Sequence, residues 1–148
     1  MRVPTMPAAR LAPAIVLALV LLIACNASGG STPPPSGACV VADARNNVEL
    51  NARDVRFSAP CIEATAGMPI VIRFTNEESM PHNVAVYTNS SKQTEVVKGE
   101  IITGPNATTT VTVPAQPAGQ LYFKCSVHDT MNGALVVRPA PEASAAAS

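Results

Sequence analysis

Tryptophan is absent from this 148-residue chain, and phenylalanine and tyrosine number only three and two. A core must therefore be built from Val, Ile, Leu and Ala. Charge is scarce as well: Asp, Glu, Lys and Arg make up 14% of the residues and balance to a formal net charge of zero. That excludes the basic footprint of a nucleic-acid binder. Only two histidines occur, His82 and His128, so any chemistry that needs three or more imidazoles is closed to the chain. No stretch of the chain beyond the first 24 residues carries a convincing helical stripe. Its only long apolar run, Leu11 to Ala24, contains Pro13 and falls short of the roughly 20 residues of a comfortable membrane span.

What is present divides the chain into four parts. Arg2 and Arg10 flank a basic start, and the apolar run has the proportions of a signal-peptide core. It ends in Leu22-Ile23-Ala24-Cys25, which resembles a bacterial lipobox. The resemblance implies export, cleavage before Cys25 and lipidation of that thiol. The domain would then be anchored at the membrane on the periplasmic or extracytoplasmic side. Residues 25–37, rich in Gly, Ser and Pro, read as the anchored linker. Residues 38–138 read as one folded domain, and 139–148 as a disordered Ala-rich tail.

Within the domain apolar residues alternate: Val48 and Leu50; Val55 and Phe57; Ile70, Ile72 and Phe74; Val84 and Val86; Val111 and Val113; Leu121, Phe123 and Cys125; Leu135 and Val137. Period two over short runs is the half-buried strand signal. Turn residues separate the runs at Ala66-Gly67, Thr103-Gly104-Pro105-Asn106, Pro117-Ala118-Gly119 and Asn132-Gly133. The pattern predicts an all-β sandwich of about seven to eight strands. Lys92 to Lys98 is expected to hold a turn of helix.

The chemistry concentrates in Cys125-Ser126-Val127-His128-Asp129-Thr130-Met131, where a thiol, an imidazole and a thioether fall within one short loop. With His82 as the remaining imidazole, the donors are two nitrogens and two sulfurs, a set that suits one copper ion held in a geometry tolerable to both oxidation states. Met80 is a second thioether near His82, and packing or loop shaping is the favoured reading of it. Glu77 and Glu78 read as solvated loop charges. With Cys25 lipidated and Cys125 kept for metal, Cys39 and Cys61 are left to pair as a disulfide in an oxidising compartment. Two buried free thiols are the alternative.

Pro81-His82-Asn83 followed by Cys-x-x-His-x-x-Met resembles the cupredoxins, the small blue-copper proteins, with a His-to-Met spacing like that of amicyanin rather than plastocyanin. The resemblance implies a Greek-key β-sandwich with a type 1 copper at one end, ligated by His82, Cys125, His128 and Met131. It also implies that Asn83 supports the site, through its N–H toward the Cys125 sulfur and its side chain against the ligand loop. The function implied is one-electron transfer in the bacterial envelope, without catalysis, by a monomer that docks transiently with redox partners near His128. The alternative is a copper chaperone or store that delivers the ion to an envelope cuproenzyme. The His census excludes multicopper oxidase and copper nitrite reductase chemistry for this chain alone. A binuclear centre needs a second nearby Cys, and none accompanies Cys125.

Overall fold

The computed structural model describes residues 37–141. The segments expected to be a signal peptide and an anchored linker, with Cys25, up to residue 36, and the tail beyond residue 141, lie outside the described residues. Ten strands form: β1 (Val40–Val41), β2 (Asn47–Arg53), β3 (Arg56–Phe57), β4 (Cys61–Thr65), β5 (Ile70–Asn76), β6 (Ala85–Tyr87), β7 (Glu95–Lys98), β8 (Ala107–Val113), β9 (Gly119–Lys124) and β10 (Asn132–Arg138). Two of them, β1 and β3, are only two residues long. Seven of the ten coincide with the alternating runs; the three that do not are β1, too short to alternate, β4 and β7. The helical turn expected over Lys92–Lys98 is not formed. Glu95–Lys98 pairs antiparallel with β6 instead, because a strand there completes the hydrogen bonding of that edge.

The strands make two sheets, ordered β1-β4-β10-β9-β6-β7 and β3-β2-β5-β8. The chain changes sheet at every connection except the hairpins β2–β3, β6–β7 and β9–β10. These crossings are the Greek-key connections of a sandwich. Each alternating run turns one face to the space between the sheets. Val48, Leu50 and Ala52 of β2, Ile70, Ile72 and Phe74 of β5, and Val111 and Val113 of β8 meet Val84, Val86, Phe123, Leu135 and Val137 from the other side. The three phenylalanines share one locus. Phe57 packs edge-on against Phe74 and Phe123, at centroid distances of 6.1 and 5.2 Å, an arrangement favoured by the ring quadrupole.

Cys39 and Cys61 are joined as a disulfide, with Cα atoms 4.6 Å apart. The bridge binds the start of the domain to β4, and in the next residues Val40 and Ile62 continue the contact as parallel strands.

Two buried asparagines extend the inward phase of their strands beyond the apolar residues. Asn46 precedes Val48 and Leu50, and its amide bonds the Thr65 carbonyl and N–H at 2.8 and 2.9 Å. Asn76 follows Ile72 and Phe74 at the opposite end of its strand.

Close packing at the start of β10 sets one prediction. A Cβ on Gly133 would stand 2.5 Å from the Pro60 carbonyl oxygen and closer still to the Phe123 ring. The carbonyl accepts the Ala134 N–H, so it is not free to retreat. Gly133→Ala is expected to destabilise the metal-free protein by about 1–3 kcal/mol, the usual cost of overpacking. Urea unfolding of the two proteins measures it, and an unchanged midpoint would contradict the packing described.

Candidate metal centre

β9 and β10 are a hairpin whose connection is Cys125–Met131, with Lys124 and Asn132 paired across its base. The loop is tight because its own backbone closes it. The Cys125 N–H donates to the Met131 carbonyl at 2.9 Å, and the Met131 N–H donates to the His128 carbonyl at 3.0 Å. Cys125 continues the inward phase of Leu121 and Phe123 and is fully buried; Met131 is 1% exposed.

His82 reaches the site from the connection between β5 and β6. It exchanges two backbone hydrogen bonds with Ile102, at 3.0 and 2.9 Å, which pins that connection to the segment before β8. His82 is fully buried and His128 partly so. The Nδ1 atoms of both rings stand 3.8 Å from the Cys125 sulfur, and the rings lie 4.7 Å apart at a tilt of 43°. The three donor atoms all lie within 4.8 Å of one another. The fold thus brings together the three nearest donors expected from the sequence, although 43 residues separate His82 from Cys125. Met131 supplies a buried thioether at the end of the same loop. Met80 is 41% exposed. Its structural part is played by its carbonyl, which accepts from Asn76 Nδ2 at 2.7 Å.

Asn83 braces the ligand loop with its side chain. Its Oδ1 accepts the Ser126 N–H at 2.7 Å, and its Nδ2 donates to the Gly99 carbonyl at 3.0 Å and the Ser126 hydroxyl at 3.2 Å.

Two supports were not anticipated. Asn76 donates to the Met80 and Ile102 carbonyls and accepts the Glu78 N–H. It therefore holds both sides of the His82 bridge. The available signal was a polar residue on the inward phase of a strand. Glu78 corrects the reading of it as a solvated charge: its Oε1 lies 2.6 Å from His82 Nε2 and accepts the Val55 N–H at 3.0 Å. The Val55 hydrogen bond first, and the His82 contact after the opposing effect of burial, hold its carboxyl below the ordinary carboxylate range. A carboxylate four residues before a metal-ligating His was the signal, since such ligands commonly donate their other ring N–H to a carboxylate. Glu77 bonds only the Asn51 side chain, at 2.6 Å, among its side-chain hydrogen bonds in the described residues.

The loop is also clamped electrostatically. Lys124 Nζ lies 2.5 Å from Asp129 Oδ1, and Lys92 stands 3.8 Å from the same oxygen. The hydrogen bond to Lys124, then the charges of Lys124 and Lys92, lower the Asp129 pKa from its ordinary 3.8. The same bond raises that of Lys124. A carboxyl lowered on folding adds stability above its unfolded pKa, and loses it as pH falls through the folded value. Asp129→Asn should therefore lower the unfolding temperature of the metal-free protein at pH 6, and the gap between the two proteins should close below pH 3. A gap that widened on acidification would reverse the sign assigned to this pair.

The fold and site together define an all-β sandwich with one mononuclear centre of nitrogen and sulfur donors at the end of the sandwich. Two imidazole nitrogens and a thiolate facing one point, with a thioether beside them, are the donors that suit copper in a type 1 site. The residues present fit one copper ion. The chain matches the family model "Cupredoxin-like domain" over residues 14–137 and belongs to that family.

Among solved structures it is similar to auracyanin from Roseiflexus castenholzii, at 16% identity and a TM-score of 0.56, covering 64% of this chain and 98% of that one. Auracyanin A from Chloroflexus aurantiacus matches at 20% identity and a TM-score of 0.55, over 62% of this chain and 98% of that one. Rusticyanin variants match at 18% identity and a TM-score of 0.56, over 70% and 84%. At these identities the likeness is one of fold. No curated protein sequence matches the chain.

Proposed function

We propose that the protein is a one-electron carrier of the bacterial cell envelope, held at the membrane by lipid on Cys25. The observation that carries the redox reading is the convergence of His82 Nδ1, His128 Nδ1 and the Cys125 sulfur on one buried point. A copper ion held there supplies exchange of a single electron between Cu(II) and Cu(I). The protein's part is to keep the donors still. His82 is locked from two sides, by the Ile102 bridge and by Glu78, and Cys125 and Met131 are tied to each other by backbone. Donors that do not move between oxidation states keep reorganisation small, as electron transfer needs. The likeness of fold to auracyanin A, described as a "blue" copper protein, supports the same reading.

His128 is the ligand that reaches toward solvent, and it is the proposed point of electron exit. Val127 beside it is 42% exposed; Met80 and Ile101, near the two ends of the His82–Ile102 bridge in sequence, are 41% and 48% exposed. These apolar surfaces suit small, transient encounters with redox proteins. With only two histidines, both at this centre, the chain has no imidazoles for a second, catalytic copper.

Absorption and voltammetry of the copper-loaded full chain test this reading. An intense blue or green Cu(II) band with reversible one-electron reduction is expected. A colourless, labile Cu(I) complex would instead mark a protein that hands copper on. The anchor is tested separately: Cys25→Ser should move the protein from the membrane fraction to the soluble one, and retention in the membrane would refute lipidation.

A further inference from the structure

The β2–β3 hairpin turns through two residues, Asp54 and Val55, both with positive φ, 52° and 55°. This is the twist that a two-residue hairpin requires, but it is ordinarily met by Asn or Gly. A β-branched residue in the left-handed region is an outlier that persists only where its surroundings hold it. Here the Val55 N–H donates to Glu78 Oε1 at 3.0 Å. The oxygen that receives Val55 is the one that meets His82 Nε2. A carboxylate accepts and does not donate when ionised. The imidazole must therefore place its proton on Nε2, which leaves the lone pair on Nδ1, the atom facing Cys125.

We propose that Glu78 is a positioning residue that holds His82 in its Nε2–H tautomer, and that the Asp54–Val55 turn, three strands away in sequence, in turn holds Glu78. The hairpin end, Glu78 and His82 form one line of hydrogen bonds into the metal centre. This rests on the reading of the centre as a copper site, but its first consequence does not need the metal. The Val55 amide aimed at the carboxylate also fixes its negative charge beside the centre, where it favours the more positive metal oxidation state.

The test has a metal-free and a copper-loaded arm. In the first, ¹⁵N–¹H correlation of the His82 ring in the reduced, metal-free full chain should show a single Nε2–H tautomer. Glu78→Gln keeps an acceptor and should keep that tautomer. Glu78→Ala should give a mixture. Val55→Gly retains the amide and suits the positive φ, so it should leave the ring as in the wild type.

In the second arm, Glu78→Ala should weaken copper binding 10–100-fold, the usual effect of losing a partner of a ligating His. Glu78→Gln should raise the reduction potential while largely retaining affinity. A Glu78→Ala protein with the wild-type tautomer, affinity and potential, changed only in unfolding temperature, would show a merely structural residue and overturn the proposal. If the wild type bound copper without a blue band, the carrier reading would fail, while the tautomer result would still decide the role of Glu78.

Discussion

Cys125→Ser abolishes the intense visible band of the copper-loaded protein: this is the largest effect the structure predicts. The band requires charge transfer from a thiolate. Cys125 is the one free cysteine among the described residues, and its sulfur faces both imidazoles at 3.8 Å. A serine oxygen in the same place is a harder donor and gives no comparable transition. The substitution also leaves a hydroxyl in a fully buried position, which costs the metal-free protein about 1–3 kcal/mol if it finds no partner. Circular dichroism in the strand region should be unchanged, because the Cys125 N–H bond to Met131 is made by backbone and survives. Absorption spectra of both proteins after copper loading decide the matter. A variant that kept the band would remove Cys125 from the ligand set, and with it the type 1 assignment.

The second large effect is on stability. Cys39→Ala with Cys61→Ala should cost about 3 kcal/mol, since the bridged residues are 22 apart in sequence and the chain-entropy model gives that for a loop of this size. For a domain of about 100 residues this lowers the unfolding temperature by on the order of 10–20 °C. The position of the bridge makes the loss pertinent to the metal centre. Cys61 pairs with Ala134, and the Pro60 carbonyl receives the Ala134 N–H. The bridge therefore steadies the strand that carries the chain away from Met131. Thermal unfolding of wild type and double variant, each metal-free, measures the cost. Equal unfolding temperatures would mean that the bridge constrains nothing the sheet does not already hold.

Much of the centre is legible in the residues themselves. Cys125, His128 and Met131 are local, and the alternation of Leu121, Phe123 and Cys125 is enough to turn the thiol inward. The scarcity of histidine then leaves His82 as the one partner imidazole. The pairing of Cys39 with Cys61 follows from a short census as well. The supports of the centre are different in kind. Glu78 looks like any acidic loop residue until the hairpin end at Val55 is folded against it. Asn76 looks like a strand terminus until the Met80 and Ile102 carbonyls arrive. Sequence spacing does not encode which donors converge across 20 or more residues, because that depends on sheet register.

The chain alone determined the sandwich, through period-two alternation of aliphatic residues, and the identities of the donors, through their rarity. The tertiary structure decided three further matters. The short strand β1 and the strand at Glu95–Lys98 form because edges of the sheets need hydrogen-bond partners, whatever the local propensity. Met131, and not Met80, is the buried thioether, because the hairpin closes around one and leaves the other at the surface. Glu78 is bound to His82, because the Val55 amide of a distant turn makes that place favourable for a carboxylate. Each is a matter of satisfying a polar group away from bulk water, and that depends on what the fold brings near.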